Sequence, residues 1–339
     1  MSYRILICDD SSMARKQMAR ALPKNWPAEI SYAEHGEQAL EVIRQGHCDL
    51  MFLDLNMPVL DGYGVLEAVA RDDLPVMTIV VSGDIQPQAR ERVRKLGAMD
   101  FIRKPTDPEK IQQILEEFGI YRADDSEEAQ AQAEPSPAPE PEGKLDLAAY
   151  LQEMSNVAMG QAADLLARLL DVFVKLPVPR VATLAQSELS MALTAASAKE
   201  SYSAVCQGFN GAGVAGEALL LFSDASFEDM AQLLRYEEEN RHALEVEVLM
   251  DMSSILFGAF LKGLGDQLDL RFGLGHPTVL GQHRQVGELL EYHQGSDQKL
   301  LCIEINYAIE DHNVVCDLLV LLTADSTPHL EKAISYLTE

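Results

Sequence analysis

The sequence predicts two folded domains in one chain: a doubly wound α/β domain with a five-stranded parallel sheet, then an α+β domain with two equivalent long helices on an antiparallel sheet. Three observations predict this. Short apolar runs alternate with helical patterns over residues 1–122, residues 123–143 lack every aromatic and branched apolar side chain, and within 144–339 a helix-then-strand pattern recurs at a fixed offset. At 339 residues the chain is long enough to bury two separate cores.

The first apolar run, Ile5–Cys8, precedes an amphipathic segment from Ser11, and Ile30–Ala33 precedes another from Gly36 to Gln45. The alternation continues with Leu50–Leu53 and a helix from Asp61, Val76–Val81 and a helix from Gln86 to Leu96, then Phe101-Ile102 and a helix from Asp107 to Phe118. Strands and helices in this order imply a parallel sheet covered on both faces. Leu50–Leu53 is an unbroken apolar run that suits a strand buried on both sides, and Asp54 ends it just before Met57-Pro58 turns the chain. Ligands bind at the carboxyl ends of strands in such sheets, which marks Asp54 as a chemical group. A turn-forming aspartate would look the same on this stretch alone.

The topology carries Asp9, Asp10, Asp54, Ser82 and Lys104 to one sheet edge from distant points in the chain. Three converging carboxylates require a cation. An all-oxygen set of this size suits Mg²⁺, which keeps several waters and takes one or two carboxylates plus a phosphate oxygen. A lysine and a serine hydroxyl beside it complete a phosphoryl-binding site.

Asp9-Asp10, the stretch from Asp54 to Gly62, Ser82 and Lys104-Pro105 together resemble the receiver domain of two-component response regulators. The resemblance covers residues 1–122. It implies that Asp54 is the phosphoacceptor, that Asp9, Asp10, Asp54 and Asn56 form the Mg²⁺ set, and that Ser82 and Lys104 bind the phosphoryl group. It also implies that Phe101 occupies an aromatic switch position, that Asn56 and Asp84 tune phosphoryl lifetime, and that a sensor histidine kinase of the CheA type is the phosphodonor. An aspartate nucleophile needs no base, while a cation and a lysine neutralise charge on the transferring group.

Residues 123–143 carry acidic side chains and end in alternating prolines, so they cannot build a core and predict an extended tether. Its random-coil span is on the order of 25 Å, enough to let the second domain reach the chain's own Asp54.

The second domain, 144–339, opens with a helical pattern from Leu145 to Leu176. Leu151, Met154, Ala158, Leu165, Leu169 and Phe173 fall on one predicted core face; Glu153, Asn156, Gly160, Asp164, Arg168 and Asp171 step along the other. Taken alone, that second face is a solvated stripe with an Asp164–Arg168 pair worth a few tenths of a kcal/mol. Glu153, Asn156, Gly160 and Pro179 recur, however, as Asp251, Ser254, Gly258 and Pro277, each 98 positions later. Strand-rich sequence follows each helix, at 213–223 and 300–323, and each copy closes with a helical segment, near Phe227–Leu234 and His329–Leu337.

Glu153 and Asn156, with Gly160, Pro179 and a second half built alike, resemble the CheC/CheX/FliY phosphatase family of bacterial chemotaxis. The resemblance implies a CheC-like hydrolase in which Glu153 and Asn156 dephosphorylate a phosphorylated CheY-like receiver. The second copy has Asp251 and Ser254 instead, and Ala149 replaces the Ser or Asp usual four residues before the Glu. A carboxamide can both donate to and accept from the attacking water, and Glu153 could pair with the receiver's lysine. A non-catalytic module that binds receivers under control of Asp54 phosphorylation is the competing expectation, favoured by the altered second copy.

The formal charge of −27, from 54 acidic and 27 basic residues, repels nucleic acid and anionic lipid and makes both poor partners. Five cysteines in neither CxxC nor metal spacing fit reduced thiols in a cytoplasmic protein, and no 18 apolar residues run together, so no membrane insertion is expected.

Overall fold

The computed structural model describes residues 3–24, 26–121, 146–185, 201–236, 241–290 and 299–338; the tether at 123–143 lies outside them. The chain divides into two compact units, Met1–Ala149 and Tyr150–Glu339. Among the described residues no helix is long and apolar enough to cross a membrane.

The first unit runs β1 (Tyr3–Cys8), α1 (Ser12–Ala21), β2 (Ala28–Ala33), α2 (Gly36–Arg44), β3 (Leu50–Leu53), α3 (Gly62–Arg71), β4 (Met77–Ser82), α4 (Pro87–Lys95), β5 (Asp100–Arg103) and α5 (Pro108–Glu117). Its five strands are parallel, in the order β2-β1-β3-β4-β5. Several helices start one residue later than the sequence pattern because the polar residue before each is a cap. Ser11, Asp61 and Asp107 accept hydrogen bonds from the backbone N–H groups of Ala14, Gly64 and Glu109. Alternate strand residues feed two cores. Ile5, Ile7, Leu50, Phe52, Ile79 and Val81 pack with Met18 of α1 and Ile111 and Leu115 of α5. Leu6, Cys8, Met51, Leu53 and Val80 pack with Leu40 of α2, Val65 of α3 and Val93 of α4. Chain order reverses at β1, so a crevice opens between the carboxyl ends of β1 and β3.

The second unit runs α6 (Leu147–Leu170), β6 (Val174–Lys175), β7 (Arg180–Ala185), β8 (Tyr202–Gly211), β9 (Val214–Ser223), α7 (Phe227–Leu234), α8 (Arg241–Leu268), β10 (Gly273–Leu274), β11 (Thr278–Arg284), α9 (Val286–Leu290), β12 (Lys299–Ile309), β13 (Val315–Leu322) and α10 (Thr327–Thr338). One antiparallel sheet takes all eight strands in the order β10-β8-β9-β13-β12-β6, with β11 also on β8 and β7 also on β12. The two copies therefore exchange strands. β7 of the first pairs with β12 of the second, and β11 of the second with β8 of the first. The buried hydroxyls of Ser226 and Ser326 repeat the exchange: Ser226 bonds to the backbone of Val315, and Ser326 to the backbone of Ala215. Asp171 and Asp269, 98 positions apart, both take left-handed backbone after their long helices, at φ 56° and 53°.

The runs at Leu219–Phe222 and Leu318–Leu322 are apolar on both faces because both faces are covered. Helix α8 packs on β8 and β9, while Val286 and Leu289 of α9 join Leu219, Leu221, Leu319 and Leu321 in one cluster.

The first long helix departs from the amphipathic reading. Leu165 and Leu169 are exposed, whereas Glu153, Asn156 and Gly160 are buried, as is every face of α6 from Leu151 to Ala163 apart from half-buried Gln152 and Gln161. The cause is size as much as polarity. The small side chains of Ala158, Gly160, Ala162 and Ala163 permit close approach, and at Gly263 of α8 even an added Cβ would lie 3.0 Å from the Cα of Ala158. The long helices approach closely at Ala158, while Leu165 and Leu169, farther along the same side of α6, are exposed.

His283 sits at a register shift of β11 on β8, in left-handed backbone at φ 54°. Its Nδ1 lies 2.9 Å from Asp224 Oδ2 and its Nε2 lies 3.1 Å from Glu245 Oε2, so two acceptors face one ring. Ser203 Oγ donates to the other Asp224 oxygen at 2.8 Å, and the neighbouring Arg284 is engaged with Glu288. The bond to Asp224 leads in holding the His283 pKa above its ordinary value, against a smaller opposing effect of burial. A raised folded-state pKa contributes stability below about pH 6.5 that is lost as pH rises through the folded value. Urea midpoints of the parent and His283→Gln should therefore differ more near pH 6 than near pH 9; a gap that widens with pH would contradict the assignment.

Candidate functional site

The register of the parallel sheet builds the site. Cys8 lies opposite Leu53, so Asp9 and Asp54 leave β1 and β3 side by side, and the Asp54 N–H donates to the Cys8 carbonyl at 2.9 Å. Ser82 closes β4, and the Lys104 N–H donates to its carbonyl at 2.9 Å just past β5. Oxygens of Asp9, Asp10 and Asp54 gather within 4.8 Å of one another. Lys104 Nζ lies 2.8 Å from Asp9 Oδ2 and 3.4 Å from Asp54 Oδ1. Asp9, Asp54, Asn56, Ser82, Asp84 and Lys104 are all buried, and Asp10 is half-buried. Every residue expected at this edge from the sequence is thus found there.

The loop after β3 folds back tightly. Leu60 N–H donates to the Pro58 carbonyl at 2.8 Å across Val59, an exposed β-branched residue held at φ 68°. A three-residue turn of this hand is rare and strained. The loop then presses Gly62 onto the chain just past β3, where a Cβ would lie 2.3 Å from the Asp54 carbonyl oxygen and 2.8 Å from Leu55 Cα. Asn56 N–H donates to Asp54 Oδ2 at 3.2 Å, and Asp84 N–H donates to Ser82 Oγ at 3.1 Å.

Cys8 borders the cluster, but burial, reinforced by the Asp9 and Asp54 carboxylates, pushes its thiol well above the ordinary range. It stays protonated and donates toward Met57 Sδ at 3.5 Å. Phe101 is buried, with the Arg90 guanidinium 5.5 Å from its ring centre. Pattern reading missed that contact: Arg90 on α4 and Phe101 on β5 are joined only by the fold.

Three carboxylates form a hard-oxygen set, which fits Mg²⁺ by donor chemistry, while the Lys104 ammonium beside them offsets part of their charge.

Residues 5–116 match the family model of the response regulator receiver domain. The chemotaxis protein CheY of Bacillus subtilis is 31% identical over 115 residues, covering 34% of this chain and 96% of CheY. The chain belongs to the response regulator receiver family. Other relatives share only this part: the probable transcriptional regulator ycf27 of Guillardia theta is 34% identical over 114 residues, and the match spans 42% of its length. Among solved structures, FliY of Thermotoga maritima aligns at a TM-score of 0.43 and 14% identity, over 57% of this chain and 98% of FliY.

In the second unit, Glu153 and Asn156 lie one turn apart on α6, 7% and 5% exposed, and Ser155 between them is fully buried. The equivalent pair on α8 is exposed and engaged otherwise. Tyr236 Oη donates to the Asp251 carboxylate, which raises the tyrosine pKa to about 12, and Ser254 Oγ donates to the Met250 carbonyl one turn back at 2.8 Å. The sequence-predicted Asp164–Arg168 pair is present at 2.9 Å on the exposed side.

Gly62→Ala should destabilise the first unit by about 1–3 kcal/mol, because backbone atoms leave the added methyl no room. Gly208→Ala, where a Cβ meets nothing within 4 Å, is the matched control. Equal urea midpoints for both variants would refute the close approach.

Proposed function

We propose that this chain is a two-component response regulator that takes a phosphoryl group on Asp54 from a sensor histidine kinase of the CheA type. One observation carries the reading: a buried carboxylate at the end of the central strand, with Lys104 Nζ 3.4 Å away and the Asp9 and Asp10 oxygens within 4.8 Å. Asp54 attacks phosphorus, the P–N bond of the donor phosphohistidine breaks, and the imidazole leaves while an acyl phosphate forms. Lys104 and Ser82 hold phosphoryl oxygens. Mg²⁺, held by Asp9, Asp10 and Asp54 with Asn56 beside them, would neutralise charge on those oxygens.

The output of 144–339 is hydrolysis of aspartyl phosphate on a CheY-like receiver. Asn156 orients a water, whose oxygen bonds to phosphorus as the P–O bond to aspartate breaks, releasing phosphate and a free carboxylate. Glu153 pairs with the receiver's lysine. The asymmetry of the two copies supports assigning the work to α6. On α8, the Ser254 hydroxyl is donated to its own helix and Asp251 accepts from Tyr236. At 7% and 5% exposure, Glu153 and Asn156 must be uncovered before a protein-bound phosphate can meet them, so the activity is gated. The same burial favours a second reading, in which the unit binds receivers without turnover.

Acetyl phosphate with Mg²⁺ should label the parent chain at one acid-stable, base-labile site, and Asp54→Asn should abolish the label. Undiminished incorporation in that variant would end the assignment.

Incubated with a separately phosphorylated receiver, the parent should release phosphate, and Glu153→Ala and Asn156→Ala should each lower the rate about 100-fold or more. Asp251→Ala should leave it unchanged. Binding of the receiver without phosphate release would establish the non-catalytic reading instead.

A further inference from the structure

Arg15 lies on the first turns of α1 with its side chain 12% exposed. Its Nη1 donates to the Asp9 carbonyl at 2.7 Å and to the Asp10 carbonyl at 3.2 Å, while Nη2 donates to Glu34 Oε1 at 2.8 Å. These two carbonyls belong to the residues whose carboxylates meet Asp54. At this point β1 has ended, and carbonyls beyond a strand end need another donor.

Asp9 is held from several sides. Its N–H donates to the Ala33 carbonyl at 3.1 Å, its Oδ1 accepts from Ser11 N–H at 2.9 Å, and its Oδ2 accepts from Lys104. The guanidinium adds what these bonds do not: its Nη1 spans two successive peptide carbonyls while Nη2, in the same rigid plane, is tied to Glu34. With both peptide planes fixed, the directions in which the Asp9 and Asp10 side chains leave the backbone are fixed as well. Glu34 anchors the far side of the guanidinium, and Gln38 Oε1 in turn accepts from the Glu34 N–H at 2.9 Å.

We infer that Arg15 is a positioning residue for the divalent cation: it aims the Asp9 and Asp10 carboxylates at a common centre by gripping their backbone carbonyls. The inference rests on reading Asp9, Asp10 and Asp54 as a Mg²⁺ site. The charge of Arg15 by itself opposes a second cation nearby, with Glu34 offsetting it, so geometry and charge predict opposite effects of removing the residue. Lysine at the same place keeps the charge and loses the rigid plane that ties the carbonyl-binding nitrogen to Glu34.

The test is a calorimetric Mg²⁺ titration of the full chain as parent, Arg15→Lys, Arg15→Gln and Glu34→Gln, with urea midpoints of each protein measured in metal-free buffer. Loss of a group that orients metal ligands weakens binding by about 10- to 100-fold. That loss is expected in both Arg15 variants, with a smaller one in Glu34→Gln, whose exposed side chain leaves folding intact. Parent-like affinity in Arg15→Lys, or tighter binding in Arg15→Gln, would show charge alone at work and overturn the inference while leaving the cation site standing. Affinities that follow the metal-free urea midpoints across the four proteins would also overturn it. Absence of saturable Mg²⁺ uptake by the parent would instead overturn the cation site itself, and the inference with it.

Discussion

Gathering three carboxylates at one point, Asp9 and Asp54 buried and Asp10 half-buried, is the constraint on which the first unit is organised. Each ion taken from water costs several kcal/mol, and like charges within 4.8 Å raise that cost further. Lys104 is the direct answer: its ammonium, itself buried, lies against both Asp9 and Asp54. Such an arrangement survives only when the backbone holds every member in place. The carboxyl ends of β1, β3 and β5 do so through ladder hydrogen bonds that continue one residue past each strand, into Asp9, Asp54 and Lys104, the last bonded to Ser82 at the end of β4. The strained turn at Val59 and the press of Gly62 on Asp54 follow from the same demand, since the loop must leave the crevice without covering it.

The second unit obeys a different constraint. A helix and four strands with two apolar faces cannot bury those faces alone, and the two copies meet the need by exchanging strands across a shared sheet. β9 and β13 run antiparallel at its centre, and the reciprocal bonds of Ser226 and Ser326 pin each copy to the hairpin of the other. The two copies nevertheless differ at the equivalent positions of their long helices. Asp251 and Ser254 have found local partners in Tyr236 and Met250, whereas α6 keeps its carboxylate and carboxamide buried. At the position equivalent to His283, 98 residues earlier, stands Ala185, so among the described residues the ring held by Asp224 and Glu245 is not repeated there.

Much of this was legible in the sequence because it follows from period and punctuation. Runs such as Leu50–Leu53, bounded by Asp and Pro, announce buried parallel strands, and the alternation with helical segments then dictates which ends converge. Asp9, Asp54, Ser82 and Lys104 could be placed at one edge with no distance measured, because a parallel sheet offers them no other. The offset of 98 positions likewise announced two like halves. The sequence by itself thus determined the strands and helices of the first unit, the convergence of Asp9, Asp54, Ser82 and Lys104 at one edge, and the two like halves of the second unit. Tertiary structure alone decided how much of α6 goes inside: Gly263 of α8 comes close to Ala158, nearly every side from Leu151 to Ala163 is buried, and Leu165 and Leu169 beyond that stretch stand in solvent despite their leucine spacing. It alone joined Arg15 to the carbonyls of Asp9 and Asp10, His283 to two carboxylates and Arg90 to Phe101. Contacts of long, flexible polar side chains have no period to betray them and exist only once the backbones that carry them have been brought together.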